Sequence, residues 1–231
     1  MDHVRYERKF FITDLTEFEI ISILNLHPAN FSRIYYERYI NNIYIDSFDM
    51  KNYFENISGL ENRVKYRVRW YGDLFGEIKK PHLELKIKRG LTCAKRSFLL
   101  KGFMLDQDFC KDVFYDVVRS SDIPETLKLE LGCLDFSLLN RYRRKYYISK
   151  DNRYRVTLDS DLEFYGIDSF NSNFLNESKD HISNIIEVKY EKENEESIKD
   201  ITSLFPFRMT KSSKYVMGLE RLNFTKRYSQ V

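Results

Sequence analysis

The stretch VKYRVRW, residues 64–70, decides how the chain is read: Lys65, Arg67 and Arg69 alternate with Val64, Tyr66, Val68 and Trp70. Successive side chains of a β-strand point to opposite faces, so this is a strand with three cations on one face and an apolar face behind them. Aligned like charges repel one another. Either water surrounds them on the outer face of an antiparallel sheet, or an anion lies across them, and the choice turns on whether other strands repeat the pattern.

They do. In HLELKIK, residues 82–88, Leu83, Leu85 and Ile87 alternate with His82, Glu84, Lys86 and Lys88. In RYRVTLD, residues 153–159, Tyr154, Val156 and Leu158 oppose Arg153, Arg155, Thr157 and Asp159. Near the end, Ile186, Val188 and Tyr190 oppose Glu187, Lys189 and Glu191. The first strand, Val4 to Ile12, sets Arg5, Glu7, Lys9 and Phe11 against Val4, Tyr6, Arg8, Phe10 and Ile12, with Arg8 interrupting the apolar side. Charged strand faces rich in Lys and Arg and dotted with single Glu residues therefore recur along most of the chain.

At 231 residues the chain suits one large all-β or α+β domain, or two small ones, and is long enough to bury a substantial core. Its 38 Lys and Arg nearly balance 35 Asp and Glu, so a strong positive field must come from placement and not from total charge. A bulk nucleic-acid binder would be more basic, and no nucleic acid is expected as a partner. Cys93, Cys110 and Cys133 lack metal-like spacing and read as reduced, mostly buried thiols of a cytoplasmic protein. No window approaches the roughly 20 apolar residues of a membrane span, and MDHVRYERKFF has no signal-peptide core.

Between the strands, Asp14 with Glu17 at the third position reads as a capping box, followed by a helix with Leu15, Phe18, Ile21 and Leu24 on one face and an end near Asn25. A strand over Arg38 to Asp46 and a helical turn over Asp49 to Glu55 precede VKYRVRW, and Gly72 to Pro81 is a loop joining it to HLELKIK as an antiparallel hairpin. A helical stretch between Asp106 and Gly132 puts Phe109, Val113, Val117 and Val118 on its inner side. Strands over Asn140 to Ser149 and Arg153 to Asp159 flank a Lys150-Asp151-Asn152 turn, and Asp161 to Ser183, rich in Asn, Ser and Asp, reads as a long loop. A strand over Asn184 to Glu191, an acidic helix over Glu195 to Leu204 and a segment from Lys211 close the chain.

Some seven or eight one-faced antiparallel strands can close into a barrel with the charges inside, wide enough for a narrow ligand and covered outside by the amphipathic helices. Single-strand nucleic-acid binders set aromatics beside their basic residues, whereas Tyr66, Trp70, Tyr154 and Tyr190 lie on the opposite faces, which points to phosphate alone. The interspersed Glu residues either pair with neighbouring cations or hold Mg²⁺ or Mn²⁺, which one or two carboxylates and phosphate oxygens typically bind. Glu187 in IIEVKY is the best metal candidate.

YERKFF, YIDS, KYRVRW, LELKIK, RYRRKYY, RVTLD, IIEVKY and SKYVMG occur in that order. Together they resemble the VTC domain, the polyphosphate polymerase domain of the vacuolar transporter chaperone family, within the triphosphate tunnel metalloenzymes and alongside the CYTH proteins. The resemblance covers nearly the whole chain and implies one VTC-type domain over residues 1–231, of α+β class: an antiparallel eight-stranded β-barrel tunnel with amphipathic helices packed outside. It implies catalytic roles for Arg67, Arg69, Lys86, Arg144, Arg155 and Lys214. The phosphate-binding residues would be Lys9, Lys65, Lys88, Arg96, Lys189 and Ser213, with Arg96 on loose spacing, and the metal ligands Glu187, Glu84 and Glu7. Arg forks can grip phosphate oxygens in pairs, and Lys supplies a movable point charge.

The implied activity is transfer of the γ-phosphate of a nucleoside triphosphate, with ATP the first choice, to a polyphosphate chain in the presence of Mn²⁺ or Mg²⁺. Hydrolysis of tripolyphosphate or a nucleoside triphosphate in the same tunnel, and polyphosphate binding without catalysis, remain open. Arg5 stands where CYTH proteins carry a second Glu, which favours the VTC branch. The phosphate-sensing SPX domain and membrane helices of the eukaryotic polymerases are missing from these 231 residues, so coupling to transport is not expected of them. No protein partner can be read.

Overall fold

The computed structural model describes residues 5–89, 92–167 and 174–223. In chain order the elements are β1 (Arg5–Ile12), α1 (Glu17–Leu26), β2 (Ser32–Asp46), α2 (Lys51–Ile57), β3 (Arg63–Tyr71), β4 (Gly76–Ile78), β5 (His82–Arg89), β6 (Thr92–Leu99) and β7 (Phe103–Leu105). They continue with α3 (Lys111–Ser120), α4 (Glu125–Gly132), β8 (Asp135–Ile148), β9 (Arg155–Ile167), β10 (Phe174–Asp180), β11 (Asn184–Glu191), a 3-10 turn at Lys192–Asn194, α5 (Ile198–Thr202) and α6 (Lys214–Arg221). Among the described residues, hydrogen bonding orders the main sheet β1-β11-β9-β8-β2-β3-β5-β6, with β10 beside β9, while β4 pairs with β7. The pairings of β1, β11 and β9, and of β2, β3, β5 and β6, are antiparallel, so the expected α+β class with an eight-strand antiparallel path is present.

The chain forms two compact units. Met1–Tyr39, Tyr142–Leu162 and Lys179–Ser213 make the first; Ile40–Arg141, Glu163–Ser178 and Lys214–Val231 make the second. In the first, the apolar faces of β1, β9 and β11 (Phe10, Ile12, Val156, Leu158, Ile186, Val188) pack with Ile20 and Leu24 of α1 and Ile198 of α5. In the second, Tyr66, Val68 and Trp70 of β3 and Leu83 and Leu85 of β5 pack with Phe114, Val117 and Val118 of α3 and Leu127 and Leu131 of α4. Burying each such side chain contributes about 1.5–3 kcal/mol, which holds the apolar strand faces under helices and leaves the charged faces on the other side.

Several local expectations are corrected. The capping box of α1 is Thr16 with Glu19: the Thr16 hydroxyl accepts from the Glu19 N–H at 3.3 Å, and Glu19 Oε2 accepts from the Thr16 N–H at 2.8 Å. Asp14 and Glu17 have the same spacing, but Glu17 is drawn to Arg143, Lys145 and Ser160 at 2.8, 2.7 and 2.9 Å. The helix consequently buries Ile20 and Leu24 and leaves Phe18 exposed. In α3 the inward stripe is Phe114, Val117 and Val118, at helical spacing, and Val113 faces out. The stretch read as a long loop continues β9 to Ile167 and contains β10, where strand pairing overrides a turn-rich composition; its residues 168–173 lie outside the described ones. Cys110 is half-buried and Cys133 exposed, because neither falls on an inward position of its segment.

Candidate functional site

Among the described residues, each unit carries a polar strand face. In the second unit the face is built from β3, β5 and β6. Antiparallel register sets Lys65 opposite Lys86, Arg67 opposite Glu84 and Arg63 opposite Lys88, and then Lys86 opposite Lys95 and Glu84 opposite Ser97. Directly opposed residues share a face. Glu84, buried, is its centre: Arg67 donates to Oε2 from Nε at 2.8 Å and from a terminal nitrogen at 2.6 Å, Arg69 lies 3.5 Å away, and Lys95 pairs with Oε1. Burial raises the Glu84 carboxyl, but Arg67 and Arg69, with Lys95, more than offset this and hold it at about 2, against an ordinary 4.5. Burial and the two neighbouring guanidiniums pull the Lys95 ammonium below its ordinary value despite Glu84.

Arg69 is further fixed by donating from Nε to Asn42 Oδ1 at 2.9 Å, and the Asn42 amide donates to Asn140 at 2.9 Å, both amides being fully buried. The register corrects one expected placement. Arg96 lies opposite Leu85 and hence on the helix-covered side of the sheet, and Lys95 occupies the charged face in its stead. Lys95 was missed because no strand was read in residues 92–99, where the alternation is weak.

Lys214 is the first residue of α6, and the helix is seated by its neighbours. Tyr215 donates its hydroxyl to Asp46 Oδ2 at 2.5 Å and stacks on Tyr44, with centroids 4.9 Å apart. The fully buried Asp46 also accepts from the N–H groups of Ser47, Asn52 and Tyr53 at 2.8, 2.9 and 3.0 Å, so one carboxylate caps α2 and anchors α6. Burial and the Asp46 charge push the Tyr215 hydroxyl far above its ordinary value, which keeps it a donor. Gly218 allows the close seating: a Cβ there would stand 2.5 Å from Phe164 and 2.6 Å from Leu138. Asp46, in the YIDS motif, was the signal for this anchor, but nothing local to it announces Tyr215 as its partner.

In the first unit the polar face is formed by β1, β11, β9 and the end of β8. Register places Glu7, Lys189 and Arg155 in one row and Lys9, Glu187 and Thr157 in the next. Glu187 is buried; Lys9 reaches it at 3.3 Å, Lys189 at 3.1 Å and Arg144 at 3.6 Å, and Lys9 also lies 3.8 Å from Glu7. Arg144 makes a bidentate pair with the fully buried Asp159, at 2.5 and 2.6 Å. Burial opposes its charge, but Asp159 and neighbouring Tyr142 and Glu187 raise the guanidinium well above its ordinary value. With its fork committed to Asp159, Arg144 is placed to orient Glu187. Arg155 is exposed in its row, and Ser213 is half-buried immediately before α6.

The expected residues thus fall into two sets: Lys65, Arg67, Arg69, Glu84, Lys86 and Lys88 with Lys214 in one unit, and Glu7, Lys9, Arg144, Arg155, Glu187, Lys189 and Ser213 in the other. Among the described residues, no three His, Cys, Asp or Glu side chains gather at one point as a closed metal cage. Glu187 does suit a cation completed by substrate oxygens: Glu7 is its diagonal neighbour, and the buried Thr157 hydroxyl, opposite it in register, has no hydrogen-bond partner among the described residues. These are hard oxygen donors of the kind Mg²⁺ and Mn²⁺ take.

The family model of the VTC domain matches residues 4–223. The chain belongs to the VTC domain family. Solved structures agree in fold. A Vibrio parahaemolyticus protein provisionally named an adenylate cyclase superposes on this VTC domain with a TM-score of 0.52 at 9% identity, covering 94% of this chain and 99% of that one. A Hippeastrum protein, provisionally named an adenylyl cyclase and described as having dominant triphosphatase activity, gives 0.55 at 15% identity, covering 94% and 95%. No curated protein is significantly similar in sequence. No helix among the described residues is long and apolar enough to cross a membrane.

Proposed function

We propose that this VTC domain is a cytoplasmic triphosphate-processing enzyme in which both units act as one domain, and that it transfers the γ-phosphate of a nucleoside triphosphate, ATP first, to a polyphosphate chain. The observation that carries the reading is the pair of strand faces on which Lys and Arg alternate with buried apolar residues, combined with family membership over 220 of its residues, from 4 to 223.

Arg67 and Arg69 both pair with Glu84, ready to exchange part of that pairing for phosphate oxygens. Lys65, Lys86, Lys88 and Lys214 supply further cations in that unit, and Lys9, Lys189 and Arg155 do so in the other. Glu187, oriented by Arg144 and assisted by Glu7, is the proposed holder of Mn²⁺ or Mg²⁺, which when bound neutralises phosphate charge. A terminal phosphate oxygen of the polyphosphate forms the new P–O bond to the γ-phosphorus as the bond to the leaving nucleoside diphosphate breaks. Phosphoryl transfer asks mainly for such positioning and charge neutralisation.

Hydrolysis is the second reading, favoured by the triphosphatase activity described for the Hippeastrum protein, since the same cations would serve an attacking water. Purified protein incubated with ATP and Mn²⁺ and followed by ³¹P NMR separates the readings. Signals of chain-internal phosphate are expected; orthophosphate alone means a hydrolase, and tight polyphosphate binding without turnover means a binding module.

A further inference from the structure

The absence of aromatics beside the cations of VKYRVRW pointed to a ligand of phosphate alone, and the structure keeps Tyr66, Trp70, Tyr154 and Tyr190 buried in the two cores. One aromatic and cationic cluster in the first unit is different. Tyr35 of β2 and Tyr146 of β8 meet edge to face, with ring centroids 5.6 Å apart. The guanidinium of Arg38 lies 5.7 Å from each ring centre. Tyr35 is 54% exposed, Arg38 is exposed, and neither tyrosine belongs to a core cluster. On β8, Tyr146 lies two residues beyond Arg144 and so on the same face, about 7 Å further along the strand. Arg144 is the residue set 3.6 Å from Glu187. The rings therefore continue the polar face toward solvent.

We propose that Tyr35, Arg38 and Tyr146 form a nucleobase subsite, in which the base of the nucleoside triphosphate stacks on the exposed Tyr35 ring beside the Arg38 guanidinium. The assignment rests on the proposed function and adds to it where the nucleoside end of the substrate lies. Exposed aromatic rings flanked by Arg are what proteins present to bases, and inorganic polyphosphate has no planar group to use them. Stacking tolerates any base, because every base has a π-face, so ATP and GTP should bind alike.

Calorimetric binding of ATP, GTP and inorganic tripolyphosphate, each with Mn²⁺, to the wild type, Tyr35→Ala and Tyr35→Phe tests this. Tyr35→Ala should lose about tenfold or more in affinity for both nucleotides with tripolyphosphate binding unchanged. Tyr35→Phe, which keeps the ring, should bind all three ligands as the wild type does. If Tyr35→Ala binds ATP as tightly as the wild type, or loses ATP and tripolyphosphate equally, the subsite is overturned while the proposed function stands. If the wild type binds neither ATP nor tripolyphosphate, the function reading falls and the subsite with it.

Discussion

Replacing Glu84 with Gln removes one negative charge from among Arg67, Arg69 and Lys95 while keeping the size of the side chain. The carboxyl sits at about 2 in the folded protein against an ordinary 4.5. Its folded value is depressed, so the unfolded chain takes up the proton first as the pH falls. The stabilisation is therefore complete above pH 4.5 and is lost as the pH drops from there toward 2. Each tenfold gap in proton affinity is worth about 1.4 kcal/mol, so the carboxylate, its side chain only 7% exposed and little screened by water, contributes about 3 kcal/mol at neutral pH. At about 2–4 °C per kcal/mol for a protein of this size, Glu84→Gln should melt about 6–12 °C below the wild type at pH 7. Urea unfolding of both proteins at pH 7 and pH 3.5 should show the gap smaller by about a third to a half at the lower pH. Tripolyphosphate at pH 7 should raise the variant's midpoint more than the wild type's, because the ligand replaces the missing charge. Equal midpoints at pH 7, or a gap that does not narrow at pH 3.5, would refute the view that this carboxylate is what makes the cation row tolerable.

Three further outcomes are expected. Gly218→Ala drives a methyl group into Phe164 and Leu138 and should cost about 1–3 kcal/mol, seen as a lower denaturant midpoint. Asp159→Asn takes the bidentate anionic partner from the buried Arg144 guanidinium, leaving only the more distant Glu187, and should cost about 3–5 kcal/mol by chemical unfolding; a loss below 1 kcal/mol would mean that water or Glu187 takes over. Glu187→Gln should weaken Mn²⁺ binding in the presence of tripolyphosphate while metal-free tripolyphosphate binding is kept, and calorimetry with and without Mn²⁺ separates these terms; unchanged Mn²⁺ affinity would move the metal away from this residue.

Much of the fold was legible in local patterns. The apolar halves of VKYRVRW, HLELKIK, RYRVTLD and IIEVKY are buried in the two cores. Strand alternation is local, with a period of two, and depends on no knowledge of partners. Legibility ended where a choice depended on something distant. Asp14 with Glu17 and Thr16 with Glu19 match the same capping template, and the choice was made by Arg143 and Lys145, over a hundred residues away, which claim Glu17. Arg96 and Lys95 are neighbours in a weakly patterned stretch, and only the pairing of β6 with β5 tells which one shares a face with Glu84.

The sequence by itself therefore determined that this protein would build antiparallel strands with one basic and one apolar face, and the ordered motifs along it placed it among VTC domains. Tertiary structure decided the pairings: Glu84 with Arg67, Arg69 and Lys95, Arg144 with Asp159, Asp46 with Tyr215, and Tyr35 with Tyr146. The physical reason is range. Which face a side chain takes follows from its immediate neighbours in the chain, whereas the neutralisation of a charge or the stacking of a ring depends on the register of strands that the backbone brings together from far apart.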